Sequence, residues 1–196
     1  MLRRLIQVMG IPGELLLTQV SENLVGLARA GDTSAFDRLV SMHQREVYAL
    51  AYRILGNAED AADIQQETFV RAWRNLRRFR QDAAFSTWLH RIAVNLCLSA
   101  KRRKSLVQCD IPPEELASQS VGPNPGADVA ALRRIIGSMP AHHRVLIVLR
   151  DLEGRSFEEI AGVIGCSVAS ARSRLCKARG MLRERMRPYL EEDNEV

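Results

Sequence analysis

A chain of 196 residues with 46% apolar content can fill one or two small cores, each of roughly 60 to 100 residues. Aromatics are only 5%, and the apolar residues recur at steps of three and four instead of alternating, which predicts an all-α protein and argues against sheets. The formal net charge of +5, from 28 basic and 23 acidic side chains, is too small to mark a nucleic-acid binder, so the placement of the charges matters more than their sum.

The N-terminal stretch is interrupted by Pro12, Gly13 and Glu14, which fits neither a secretory segment nor a bilayer span. Nothing later approaches a membrane span, and a cytoplasmic protein is expected. Residues 1–21 are read as an extension, expected to be flexible.

From Ser21 the pattern becomes regular, with Phe36, Leu39, Val40, Val47, Leu50, Ala51 and Ile54 marking one face of a long helix that ends near Gly56. The next helix turns Ala61, Ile64, Thr68, Phe69, Ala72 and Leu76 inward and leaves Asp60, Asp63, Gln66, Glu67, Arg71 and Arg74 outside. After a loop from Arg77 to Phe85, Ser86 is expected to cap a helix that buries Leu89, Ile92, Ala93, Leu96, Cys97 and Ala100. Its other face carries Trp88, Arg91, Asn95, Ser99 and Arg102 as one exposed stripe.

From Ser105 to Ala127 the chain has no Lys or Arg and gains Pro112, Pro113, Pro123 and Pro125 with Asp110, Glu114 and Glu115, the composition of a flexible acidic linker. It divides a first domain, 22–104, from a second, 128–190, with a short acidic tail at 191–196. The second domain opens with a helix through Val129, Leu132, Ile135 and Ile136 that breaks at Met139-Pro140. A helix burying Val145, Leu146, Val148 and Leu149 follows and ends at Glu153-Gly154. Ser156 and Glu159 have capping-box spacing ahead of a short helix with Ile160, Ala161 and Ile164 inward. Gly165-Cys166-Ser167 makes a tight turn, and Ser167 caps a longer helix with Ala171, Leu175, Ala178 and Leu182 inward, expected to stop at Pro188. A short helix, a glycine turn and a longer basic helix form a helix-turn-helix, whose second helix enters the major groove of duplex DNA.

Two basic surfaces follow. Between Arg71 and Lys104 ten basic side chains face only Asp82, and between Arg172 and Arg187 seven face only Glu184, a footprint for phosphate backbones. In the second surface Arg172 is the candidate for bidentate contact to guanine, with Ser170, Ser173 and Lys177 near bases or phosphates and Arg174 and Arg179 on phosphates. In the first, Trp73, Phe79, Phe85 and Trp88 interleave with Arg77, Arg78, Arg80 and Arg91 around one loop. Such a cluster either closes the bundle or stacks on unpaired bases, with room for a flipped base. The cysteines Cys97, Cys109, Cys166 and Cys176 and the four histidines show no zinc-ligand spacing, so reduced thiols and no metal are expected. No nucleophile triad or phosphate-cradling glycine loop is present, so neither an enzyme nor a cofactor or small-molecule substrate is expected. A dimeric helix-turn-helix regulator and a helical adaptor remain alternatives at this level.

Residues 58–76, AEDAADIQQETFVRAWRNL, and 85–104, FSTWLHRIAVNLCLSAKRRK, resemble bacterial RNA polymerase sigma factors of the extracytoplasmic-function class. Residues 149–179, LRDLEGRSFEEIAGVIGCSVASARSRLCKAR, resemble the region-four helix-turn-helix of the same family, and the likeness spans about residues 22 to 190. It implies a transcription initiation factor that binds core RNA polymerase, through its beta-prime clamp helices and beta flap, and promoter DNA. Asp63, Gln66 and Glu67 would grip the clamp helices. Arg77, Arg78, Phe79, Arg80, Phe85, Trp88, Arg91, Asn95 and Arg102 would melt the minus-ten element. Ser170, Arg172, Ser173, Arg174, Lys177 and Arg179 would read the minus-thirty-five element. The linker would thread the polymerase channels, and an anti-sigma factor clamped across both domains is a further implied partner. Ser99, where many relatives carry an acid, Ser170-Ala171 in place of Thr-Val, and Lys177 in place of Arg depart from the family pattern and bear on promoter sequence.

Overall fold

The computed structural model describes residues 13–80, 82–107 and 125–191, and among them every regular element is helical. A first group comprises α1 (Gly13–Arg29), α2 (Thr33–Leu55), α3 (Ala58–Asn75), a 3-10 turn at Leu76–Arg78, and α4 (Phe85–Val107). A second group comprises α5 (Pro125–Ser138), α6 (Ala141–Ile147), a π-type turn at Val148–Leu152, α7 (Phe157–Ile164) and α8 (Val168–Glu191). The acidic stretch 108–124, with Cys109, and the tail 192–196 lie outside the described residues.

The structure corrects several boundaries. The long helix that ends at Gly56 is α2, and the regular pattern before it from Ser21 belongs to a separate helix, because Gly31 takes φ +107° and Asp32 caps α2 by accepting from the Ser34 and Ala35 amides at 2.8 and 3.1 Å. Helix α1 also begins within the expected extension, from Gly13, and buries Leu24, Val25 and Ala28. Ser86 stands inside the first turn of α4 instead of capping it, since the Trp88 amide already donates to the Ala84 carbonyl at 3.2 Å. Helices α4 and α5 each extend into the stretch read as linker, to Val107 and from Pro125. Nor does Pro188 stop α8, which continues to Glu191. A proline so near a helix end removes only one amide donor.

The largest departure concerns the relation between the two groups, which share one hydrophobic core instead of standing apart. Helix α4 packs against α7, where a Cβ at Gly162 would lie 3.3 Å from Thr87 Cγ2 and one at Gly165 3.3 Å from Arg91 Nη2. Thr87, His90 and Val94 are therefore buried on a second face of α4. Arg144 of α6, 3% exposed, donates through Nη1 to the Ile54 carbonyl at the end of α2 (2.5 Å) and through Nη2 to the carbonyls of Gly137 and Met139. A cation there satisfies carbonyls that the helix end leaves without amide partners. On the rim Arg53 pairs with Glu153 at 3.0 Å, and Arg155 reaches Glu159 at 3.0 Å and His90 Nδ1 at 2.8 Å. Burial and the adjacent Arg155 cation push His90 down to about 4, which leaves its ring neutral and Nδ1 the acceptor.

Candidate nucleic-acid interface

Three surfaces gather the residues singled out by sequence. The first is the outer face of α3, where Asp63 and Gln66 are exposed and Glu67 is half-buried. Glu67 pairs with Arg71 one turn on, at 2.6 Å. The same face continues at helical spacing to Val70 and Trp73, 41% and 39% exposed, so its polar end runs into an apolar one. Trp73 lies against Phe36 at 4.9 Å between ring centroids, and the two help line a cleft of about 490 Å³. Trp73 thus leaves the aromatic cluster to which its sequence neighbourhood assigned it.

The second surface surrounds the loop between α3 and α4. Arg77, Arg78 and Arg80 are exposed there, as are Arg91, Asn95 and Arg102 along α4. Phe79 and Phe85 correct the expectation, since both are buried, at 6% and 5% exposure. Phe79 packs on Trp88 at 4.8 Å and Phe85 meets both rings at 5.7 to 5.9 Å, so the two phenylalanines brace the loop and offer no face to a base. Trp88 alone of the three stays half-exposed. It opens on a cleft of about 330 Å³ lined by Arg71, Asn75, Arg78, Ile92 and Asn95. An indole face, two amides and two guanidinium groups around such a cleft suit an unstacked base and its phosphate. Asn75 was missed, and Arg71 was read only as one member of the basic run, because α3 reads as a separate face in sequence. Only the fold brings its last turns beside α4.

The third surface is the helix-turn-helix. Ser156 accepts from the Glu159 amide at 3.1 Å while the Glu159 carboxylate accepts from the Ser156 amide at 2.8 Å, completing the capping box. Gly165 takes the left-handed conformation at φ +67°, and Ser167 Oγ accepts from the Ser170 amide at 3.2 Å as α8 begins. Ala171, Leu175 and Ala178 anchor α8 to the core. That packing leaves Arg172, Ser173, Arg174 and Lys177 exposed and Ser170 half-buried. Arg179 is ion-paired with Asp151, which holds its guanidinium against the second group. Arg174 lines a cavity of about 400 Å³ together with Asn95 and Leu98 of α4, His142, and Val145 of α6. A member of the second surface and a member of the third therefore face the same space.

Among the described residues no group of three or more His, Cys, Asp or Glu side chains is placed to hold a metal ion. Burial pushes the Cys97 thiol up to about 12. No described helix is long and apolar enough to cross a membrane.

Comparison with known proteins covers the same two segments. Residues 39–107 match the family model Sigma-70 region 2, and residues 130–182 match Sigma-70, region 4. The ECF RNA polymerase sigma factor SigE of Mycolicibacterium smegmatis is 38% identical over 167 residues, which cover 79% of this chain and 63% of that protein. The RNA polymerase sigma-H factor of Pseudomonas aeruginosa is 34% identical over 194 residues, covering 91% of this chain and all of the relative. Among solved structures, CnrH in complex with the cytosolic domain of CnrY matches with a TM-score of 0.62 at 28% identity, over 90% of this chain and 99% of CnrH.

Proposed function

The chain belongs to the extracytoplasmic-function class of sigma-70 RNA polymerase sigma factors, and on that premise we propose that it joins core RNA polymerase and directs it to two promoter elements. The observation that carries this reading is the pairing, in one chain, of a helix-turn-helix whose two helix starts are both capped with a separate basic cleft around Trp88 and Asn95. A free-standing repressor needs only the former. Residues 22–104 and 128–190 are the two working domains, with core-polymerase binding on Asp63, Gln66 and Glu67 and the apolar end of that face at Val70 and Trp73. Arg77, Arg78, Arg80, Trp88, Arg91, Asn95 and Arg102 bind and open the minus-ten element, with Arg71 and Asn75 completing the base cleft. Phe79 and Phe85 act from beneath, as the floor of the loop. Ser170, Arg172, Ser173, Arg174 and Lys177 meet the minus-thirty-five element, while Arg179 acts through its bond to Asp151. An anti-sigma factor seated across both groups holds the chain in reserve, in keeping with the partner-bound state in which CnrH was solved.

The packing of the two groups bears on how this happens. Elements about 25 base pairs apart are separated by about 85 Å along B-form DNA at 3.4 Å per base pair. A compact chain of this length has a radius of gyration of about 16 Å. Asn95 and Arg174, facing one cavity, cannot serve both elements at once, so the groups part when the promoter is engaged.

In vitro transcription with core polymerase and a promoter library tests the assignment. New start sites that depend on the added protein are expected, and they should vanish when Asp63, Gln66 and Glu67 are replaced together by alanine. A protein that neither co-purifies with core nor yields a start site sinks the reading.

A further inference from the structure

Phe157, the first residue of α7, is half-buried, and its ring carries two guanidinium groups. The Arg150 guanidinium carbon lies 4.8 Å from the ring centroid and that of Arg172 lies 5.1 Å away. Arg150 is fixed from behind, donating through Nη1 to the Arg155 carbonyl at 2.6 Å. Arg172 projects from the first turns of α8, exposed, where a recognition helix meets base edges. Arg172 has no ion pair with a carboxylate among the described residues, so the Phe157 ring is what steadies its head.

An aromatic ring attracts a guanidinium through its charge and uses none of the five N–H donors. That arrangement leaves free the two parallel donors that guanine O6 and N7 accept. A long, exposed side chain otherwise loses rotamer freedom on binding, and that loss subtracts from affinity and blurs discrimination. We infer that Phe157 is a positioning residue for DNA readout, its ring holding the Arg172 guanidinium in place to select guanine at one base pair. The inference rests on the assignment of α8 to the minus-thirty-five element.

The test uses holoenzyme reconstituted from the full chain and core polymerase. A duplex library randomised over the upstream element is selected with the wild-type protein, and the enriched duplex and its single-base-pair variants become the probes. Arg172→Ala should abolish preference at one or two base pairs. Phe157→Leu should reduce preference at those same base pairs by about 2- to 5-fold, the range of an exposed cation–π contact, with other positions and the salt slope unchanged. Phe157→Tyr should restore it, and Phe157→Leu added to Arg172→Ala should have no further effect. A uniform loss on every probe, or an effect that persists in the Arg172→Ala background, overturns the inference and makes Phe157 a packing residue. If Phe157→Leu does not fold, as judged by thermal melting, Phe157→Met gives the same comparison. Failure of the wild type to enrich any upstream element defeats the assignment of α8 and this inference with it, whereas a clear element with an unaltered Phe157→Leu profile defeats the inference alone.

Discussion

Acidification should loosen the junction between the two helical groups through His90. The ring is 1% exposed and accepts from Arg155 at 2.8 Å, so it has no room for a second proton, and its value sits near 4 against 6.5 for an ordinary histidine. The unfolded chain therefore takes up a proton that the folded chain refuses. The resulting stability is fully present above about pH 6.5, falls as the pH drops from there toward about 4, and is gone below that. At 1.36 kcal/mol for each unit, the interval between the two values amounts to about 3 kcal/mol, of which about 2 kcal/mol is lost by pH 5. Glu46, Glu159 and His43 also face this ring, and Glu46 and Glu159, both held low, add their own loss in acid. The comparison that isolates His90 is thus urea unfolding of the wild type and of His90→Gln, each at about pH 7.5 and about pH 5, with the glutamine oxygen left to accept from Arg155. The wild type should lose about 2 kcal/mol more than the variant between the two conditions. Parallel losses in the two chains would refute the reasoning, and a titration of His90 by NMR near its ordinary value would refute it independently.

Arg144→Met removes a buried cation that serves the carbonyls of Ile54, Gly137 and Met139, and should destabilise the chain by about 2 to 4 kcal/mol in urea unfolding, with an increased radius of gyration in solution scattering. Gly165→Ala places a Cβ in the left-handed region and within 3.3 Å of Arg91, and should cost about 1 to 2 kcal/mol by thermal melting. Arg172→Ala should lose about 1 to 3 kcal/mol of specific binding at one or two upstream base pairs, measured by competition with substituted duplexes. Trp88→Ala should leave core binding intact and weaken opening, read as reduced permanganate reactivity of the minus-ten thymines, by about 1 to 3 kcal/mol if one base stacks on the indole.

Features governed by neighbours in the chain were legible. The Ser156 and Glu159 capping box, the Gly56 and Gly165 helix ends and the inward rows of α3 and α8 each follow from residues within a turn or two. What was not legible depends on distant surfaces. Thr87, His90 and Val94 are buried because α7 and α6 cover them, and a periodicity along α4 cannot say what lies opposite. Arg144 reads as one more basic side chain until Ile54, ninety residues earlier, supplies its acceptor. The loop aromatics stayed open between two readings for the same reason, since an aromatic-basic run has one signature whether its rings face a base or each other. Of the candidate site residues on regular helix faces most kept the exposure expected of them, with Glu67, Trp88 and Ser170 half-buried, while Phe79 and Phe85, at the ends of a loop, are buried.

The shared core of the two groups has a consequence for assembly. If the chain must part to engage polymerase and promoter, only the parted fraction is competent, and the apparent dissociation constant equals the intrinsic one divided by that fraction. Every 1.4 kcal/mol that Arg144, the Arg53 and Glu153 pair and the α4–α7 contact add to closure then weakens apparent affinity for core about tenfold. Substitutions at that seam would act on folding and on recruitment in opposite directions. A seam of this kind works as a rheostat, setting how much of the chain competes for polymerase at a given concentration before any partner intervenes.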